Sequence, residues 1–186
     1  MRDPKRVGIL ISGRGSNMRA LVEQACHYEV VLVVSNKPAA PGLAWARDHG
    51  IATWARDSKG MEREEFDRIV SGILEDHGVG TIALAGFMRI LSPWFVRKWP
   101  GRIVNIHPSL LPRYRGLDTH ARAIAAGDEA SGCSVHIVTE ELDAGEVLGQ
   151  SQVRIDKSDT PAALEERVLE AEHRLYPIVL NQFVTR

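Results

Sequence analysis

Along this chain, unbroken apolar runs take turns with apolar positions repeating every three or four residues. Residues 7–11 form a continuous apolar run, the pattern of a strand covered on both faces. The run breaks at Ser12-Gly13-Arg14-Gly15-Ser16-Asn17. A helix is predicted next, with Met18, Leu21, Val22 and Ala25 on one face. Residues 30–34 read as a second buried strand, stopped by Asn36-Lys37-Pro38. A short helix over 43–49 is closed by Gly50, and 51–54 reads as a third strand. Phe66, Ile69, Val70, Ile73 and Leu74 then recur at i, i+3, i+4, i+7 and i+8, a helix that stops at His77-Gly78. Residues 81–85 are a fourth strand, and Pro93 opens a short helix reaching Trp99.

The fifth strand begins near Arg102 and ends abruptly in Asn105-Ile106-His107-Pro108. Strand side chains alternate faces, so Asn105 and His107 point one way and Val104 and Ile106 the other. The stiff segment 108–112 turns the chain away, 113–118 reads as a loop and 119–126 as a helix. Residues 134–138 and 147–153 are two more strands, close enough to pair as a hairpin-like unit around the acidic loop 139–146. A final helix starts at Thr160-Pro161, a capping residue followed by proline at the first helical position. Its apolar face is Leu164, Val168, Ala171 and Leu175, and Pro177 is expected to kink or end it.

Strand and helix alternating through the first half predict an α/β protein, a mainly parallel twisted sheet with helices on both faces. An antiparallel element is expected near the C-terminal part. With no repeat, linker or low-complexity segment, residues 1–186 read as one domain. Ligands in such folds bind beyond the carboxyl ends of the strands. Three segments rich in Gly, Asn, Arg or His fall there: 12–17, 86–91 and 105–112.

Composition narrows the function. Hydrophobic residues make up 44% of the chain and charged residues 25%, within the range of soluble globular proteins. Lys plus Arg number 23 against 24 for Asp plus Glu, so no cationic surplus exists to grip nucleic acid. Cys26 and Cys133 lack metal-type spacing and read as reduced, buried thiols. The apolar run after Met1 to Arg6 is too short for a signal peptide's core or a membrane span. A cytoplasmic location with no membrane partner is therefore expected.

Gly13-Arg14-Gly15-Ser16-Asn17 places flexible backbone at a helix N-terminus, where free N–H groups and the helix dipole attract anions. Met18 occupies the third glycine position of a dinucleotide fingerprint, and no Gly-Lys-Ser/Thr follows, so a phosphate monoester fits better. The same residues would serve equally as a tight turn with Ser16 as the helix cap. His107 stands out because it shares a strand face with Asn105 at the carboxyl end. His27, His49, His77, His120, His136 and His173 fall on helices, helix ends or a strand and read as structural. Asp143, in Glu140-Glu141-Leu142-Asp143-Ala144-Gly145, belongs to a solvated acidic loop or else reaches His107. A carboxylate beside an imidazole favours the imidazolium, the form able to donate a proton. The segment Gly86-Phe87-Met88-Arg89-Ile90-Leu91 is either core or one wall of a pocket for a flat heterocycle. Carboxylates here lack ligand spacing with His or Cys, so no metal is expected. Gly-x-Ser-x-Gly is absent, which removes the usual serine-hydrolase elbow.

Taken together, several stretches resemble the folate-dependent glycinamide ribonucleotide formyltransferases of purine synthesis. They are Ile11-Ser12-Gly13 with Gly15-Ser16-Asn17, residues 85–91, residues 105–112, residues 141–145, and Glu172-His173 with Tyr176-Pro177. They run in family order across nearly the whole chain. The resemblance implies a formyltransferase (Rossmann-like) fold that moves a formyl group from the co-substrate 10-formyltetrahydrofolate to the amine of glycinamide ribonucleotide. It implies that Gly15, Ser16 and Asn17 hold the substrate phosphate and that Glu172 binds the ribose hydroxyls. Met88, Arg89, Ile90 and Leu91, with Val138, Thr139, Glu140, Glu141, Leu142 and Asn105, would hold the folate, and Arg63 would contact it elsewhere. Asn105, His107 and Asp143 match the family's catalytic trio. Small-molecule substrates, no nucleic acid partner, and a monomer or homodimer are expected.

Two positions depart from the family. Asp118 stands where a histidine is common, so no role carries over to it. Arg115 often corresponds to proline, and Leu-Leu-Pro-Arg-Tyr-Arg-Gly is similar to the methionyl-tRNA formyltransferases. The alternatives are accordingly a formyltransferase acting on methionyl-tRNA or an amino sugar, or a 10-formyltetrahydrofolate hydrolase. The chemistry suits the residues. An α-amino group of pKa about 8 is roughly one-tenth neutral at pH 7, so no strong base is required. The harder problems are the tetrahedral oxyanion and a leaving nitrogen that must be protonated. Asn105 and a protonated His107 answer both.

Overall fold

Seven strands share one sheet in the computed structural model, which describes residues 3–186; Met1 and Arg2 of the opening stretch lie outside the described residues. The elements are β1 (Arg6–Ile11), α1 (Ser16–Glu23), β2 (Glu29–Ser35), α2 (Pro41–Asp48), β3 (Thr53–Ala55), α3 (Arg63–Asp76), β4 (Thr81–Leu84) and α4 (Pro93–Lys98). They continue as β5 (Ile103–His107), α5 (Thr119–Ala125), β6 (Ala130–Ile137), β7 (Val147–Arg154) and α6 (Pro161–Phe183). The strand order is β3-β2-β1-β4-β5-β6-β7. β1 to β5 pair in parallel, and β6 and β7 add an antiparallel pair beside β5. The order reverses between β1 and β4, which opens a crevice at the carboxyl edge where the glycine turn meets residues 86–91. Ser12 N–H donates to the Gly86 carbonyl across it (3.0 Å).

Two apolar layers cover the sheet. On one side Val7, Ile9, Ile11, Val104 and Ile106 pack with Met18 and Leu21 of α1 and Leu164, Val168, Tyr176 and Leu180 of α6. On the other, Leu10, Leu32, Ile82 and Ile103 pack with Phe66, Val70 and Leu74 of α3 and Phe95 of α4. Val104 and Ile106 thus face α1 and α6, and the alternation turns Asn105 and His107 to the opposite face. The antiparallel register sets Asn105 against His136 and His107 against Ser134.

Several local expectations change. Cys26 is exposed rather than buried, while Cys133 is buried. β6 begins at Ala130, four residues before the predicted start, and so takes in Ser131, Gly132 and Cys133, which carry no β-branched signal. Gly132 is needed there: a Cβ would sit 2.0 Å from the Ser151 carbonyl oxygen of β7. α6 continues through Pro177 to Phe183. Proline leaves the carbonyl four residues back without an intrahelical donor. Gln24 Nε2 donates to that His173 carbonyl (3.1 Å) instead. Ser16 is not a side-chain cap; the N-cap position of α1 is Gly15, at φ 72°, with no side-chain cap bond.

Candidate active site

β5 delivers Asn105 and His107 to a cluster that only tertiary folding assembles. Loop 138–146 leaves β6 near the start of β5, with Val138 N–H on the Ile103 carbonyl (2.9 Å), and folds back over the face bearing both residues. At its far end Asp143 adopts φ 49° and places Oδ2 3.4 Å from His107 Nδ1. Asp143 Oδ2 also accepts from Gly116 N–H (2.9 Å), and Oδ1 lies 3.5 Å from His136 Nε2. Burial alone would raise this carboxyl's pKa. The His136 side chain, the Gly116 N–H and the nearby His107 outweigh it and hold Asp143 below the usual carboxylate value.

His107 is buried and has an acceptor at each ring nitrogen: Asp143 at Nδ1 and the Tyr114 carbonyl at Nε2 (3.0 Å). A carbonyl only accepts, so Nε2 carries a proton, and an imidazolium here would find partners for both N–H groups. The segment between β5 and Tyr114 is fixed from β6 and β7. Ser134 Oγ donates to the Ser109 carbonyl (2.6 Å) and accepts from Leu111 N–H (3.0 Å) and Gln150 Nε2 (2.8 Å).

Asn105 makes its contact through His136, its register partner on β6. Asn105 Nδ2 is 3.2 Å from His136 Nε2, and His136 Nδ1 faces the Ile137 carbonyl (3.0 Å). The carbonyl requires the proton on Nδ1. A neutral ring then accepts from Asn105 at Nε2, whereas a protonated one would donate to Asp143. The amide contact is the shorter, so the neutral ring fits this geometry. Asn105 keeps its second N–H free.

A cavity of about 340 Å³ lies at the crevice on the other side of β5. Ser12 to Asn17, Gly86, Ile106, Pro108, Glu172, Glu165 and His120 are among the residues that line it. The residues bracketing His107 reach this cavity, while Asn105 and His107 stand outside its lining. Its glycine end is open, since a Cβ on Gly13 would meet nothing within 4 Å. The uncapped N–H groups of α1 fit an anion there. Glu172 is buried; desolvation pushes its carboxyl up to about 7 against the lowering hydrogen bond from Asn17 Nδ2 (2.7 Å). Asn17 Oδ1 is left without a partner, as is His120 Nδ1. Burial keeps the His120 ring below its ordinary pKa, against the charge of Glu165.

Loops 86–91, 113–118 and 138–146 carry exposed apolar side chains. Met88 is 72% exposed, Ile90 56%, Leu117 79% and Leu142 51%, large side chains that water alone would not favour. They give a flat heterocycle a surface to cover. Leu91 is buried. The Arg89 side chain turns inward, donating to the Ser58 (3.3 Å) and Met61 (3.0 Å) carbonyls. Thr139, Glu140 and Glu141 are exposed on loop 138–146, which ion pairs Arg97–Glu140 (3.1 Å) and Arg115–Glu141 (2.6 Å) tie to α4 and loop 113–118. Arg115, one of the departures, therefore joins two loops. Asp118, the other, is the exposed N-cap residue of α5 at φ 57° and makes no side-chain cap bond. Arg63 is exposed at the first position of α3. Among the described residues no group of three His, Cys, Asp or Glu is placed to hold a metal ion, and no helix is long and apolar enough to cross a membrane.

Sequence reasoning passed over His136 and His120 as structural. The first meets Asn105 and Asp143, and the second lines the cavity. Neither carries a local signal, because each is defined by a neighbour more than ten residues away.

Residues 5–180 match the formyl transferase family. The chain is 44% identical over 181 residues to the phosphoribosylglycinamide formyltransferase of Escherichia coli (strain K12), covering 94% of this chain and 85% of that protein. It is 48% identical to part of the trifunctional purine biosynthetic protein adenosine-3 of Gallus gallus, and spans 18% of that protein's length. Among solved structures, the phosphoribosylglycinamide formyltransferase from Brucella melitensis is similar with a TM-score of 0.91 and 45% identity, over 98% of this chain and 96% of that one.

Proposed function

The chain belongs to the phosphoribosylglycinamide formyltransferase family, and from that premise we propose how its residues transfer a formyl group from 10-formyltetrahydrofolate to the amine of glycinamide ribonucleotide in de novo purine synthesis. One observation carries the assignment of the sites: a single cavity is lined both by the glycine turn and by Ile106 and Pro108, on either side of His107. A phosphate at Gly15, Ser16 and Asn17 and a ribose at Glu172 would leave the substrate's amine pointing toward the end of β5. Folate would lie across β5, over Met88, Ile90 and Leu142, with Arg89, Leu91 and residues 138–141 completing the wall and Arg63 at its outer end.

The folate co-substrate supplies the formyl carbon and a nitrogen leaving group. Asn105, one amide N–H committed to His136, has the other available for the oxygen that gains charge on attack. Such a donor is worth about 2.7–4 kcal/mol in the transition state. His107 holds the proton the leaving nitrogen needs. The Nε2 proton is the one to release, because its partner is the neutral Tyr114 carbonyl and not the Asp143 carboxylate. General acid catalysis of this kind contributes about 10²–10⁴-fold. Asp143 balances the imidazolium and takes up the amine's surplus proton through water. No metal enters any step. We take residues 1–186 as one domain, its first half gripping phosphate and its second half folate. It works in the cytoplasm as a monomer or homodimer.

Tetrahydrofolate release from 10-formyltetrahydrofolate tests the reading. Release is expected only when glycinamide ribonucleotide is present, with formylglycinamide ribonucleotide as product. Equal release without it would make the protein a hydrolase, and release only with another amine would move the acceptor.

A further inference from the structure

A circuit of buried polar groups, none of them used in the chemistry above, joins the two binding regions. Ser12, Asn36 and Ser58 follow β1, β2 and β3 at the carboxyl edge, and each is only 6% exposed. Met88 N–H donates to Ser12 Oγ (2.7 Å), and Ser12 Oγ–H donates to Asn36 Oδ1 (2.6 Å). Asn36 Nδ2 donates to Ser58 Oγ (3.4 Å), while Ser58 N–H donates back to the Asn36 carbonyl (3.3 Å). Arg89 closes the loop by donating to the Ser58 and Met61 carbonyls, one residue from where the circuit began. Ser12 also fastens its own N–H to Gly86.

The central amide is bound at both ends by hydroxyls. The hydroxyl hydrogen of Ser12 is directed to Asn36, and its oxygen receives Met88 N–H. With water excluded, a lost partner leaves a polar group unsatisfied, which is destabilising. Ser12 roots the turn whose glycines line the cavity, and Met88 lines the same cavity while starting the apolar wall. A ligand that fixes Ser12 therefore fixes the Met88 amide, and a second ligand no longer bears the cost of ordering it.

We propose that Asn36 is a positioning residue that couples the two substrate sites, holding the phosphate turn and the folate wall in one hydrogen-bonded frame so that filling either site favours filling the other. The proposal rests on the formyltransferase reading. It acts through Ser12 and Ser58 and needs no contact between Asn36 and either ligand.

Calorimetric titration decides it. Glycinamide ribonucleotide is titrated into the full chain with and without a tetrahydrofolate analogue that carries no transferable formyl group. In the wild type each ligand should tighten the other by about fivefold or more. In Asn36→Ala the factor should fall to about one. In Ser58→Ala, which removes only the Asn36 Nδ2 acceptor, it should fall by at least about half. A purely structural role for Asn36 would lower thermal stability and leave the factor unchanged. Absence of coupling in the wild type, or undiminished coupling in the variants, overturns the proposal. If Asn36→Ala does not fold, Ser58→Ala decides alone. A wild type that releases no tetrahydrofolate with glycinamide ribonucleotide overturns the formyltransferase reading instead.

Discussion

At the scale of single residues, the site depends on which hydrogens are already committed. Asn105 gives one N–H to His136 and keeps one, and His107 has acceptors at both nitrogens. Asn105→Ala and His107→Ala should each cut kcat at least about 10²-fold, with the circular dichroism spectrum unchanged; near-normal turnover at saturating substrates removes the assignment. His136→Phe keeps the ring and loses the acceptor for Asn105. It should lower kcat about tenfold while leaving the KM for glycinamide ribonucleotide unchanged, since His136 does not line that cavity. Glu172 gives a pH signature. Its folded value, about 7, lies above the ordinary 4.5. Stability tied to this group is thus full below about pH 4.5 and lost as pH rises through 7. Glu172→Gln should equal the wild type in urea melts at pH 4.5 and exceed it at pH 8, by at most on the order of 3 kcal/mol. The new amide can also donate to Asn17 Oδ1, which now lacks a partner. The same change should raise the KM for glycinamide ribonucleotide.

At the scale of elements, α6 shows how one helix serves both core and site. Tyr176 is buried, and its single hydroxyl hydrogen is shared between the Leu84 carbonyl at the end of β4 and the Val104 carbonyl within β5 (3.1 Å each). Glu172 lies one turn earlier on the same helix face. Tyr176→Phe leaves both carbonyls without that donor and should cost about 1–2 kcal/mol in urea unfolding. An unchanged midpoint would mean that the sheet satisfies them otherwise. The elements themselves were largely legible in the chain, because their evidence is local: the periodicity around Phe66 and the cap at Thr160-Pro161. What escaped was set from outside the element. β6 starts early because Gly132 must admit the Ser151 carbonyl, and α6 survives Pro177 because Gln24 reaches the freed carbonyl of His173.

At the scale of the whole molecule, the site draws on residues far apart in the chain. Asn17 and Glu172 meet across 155 positions, and the cavity between them joins α1, β5 and α6. A ligand there ties the first and last helices together. Glycinamide ribonucleotide at about 100 times its Kd should stabilise the fold by about 2.7 kcal/mol and raise Tm by several degrees. An unaltered Tm would mean that the folded chain does not bind it. By itself the sequence determined the elements, the parallel character of the sheet, the shared face of Asn105 and His107, and the family, because strand alternation, helix periodicity and motifs are written in neighbouring residues. Only the tertiary structure decided that His136 stands against Asn105, that Asp143 folds back to His107, and that Asn36 links the two loops. Antiparallel register, loop path and burial are settled by where distant segments pack, and no local pattern encodes them.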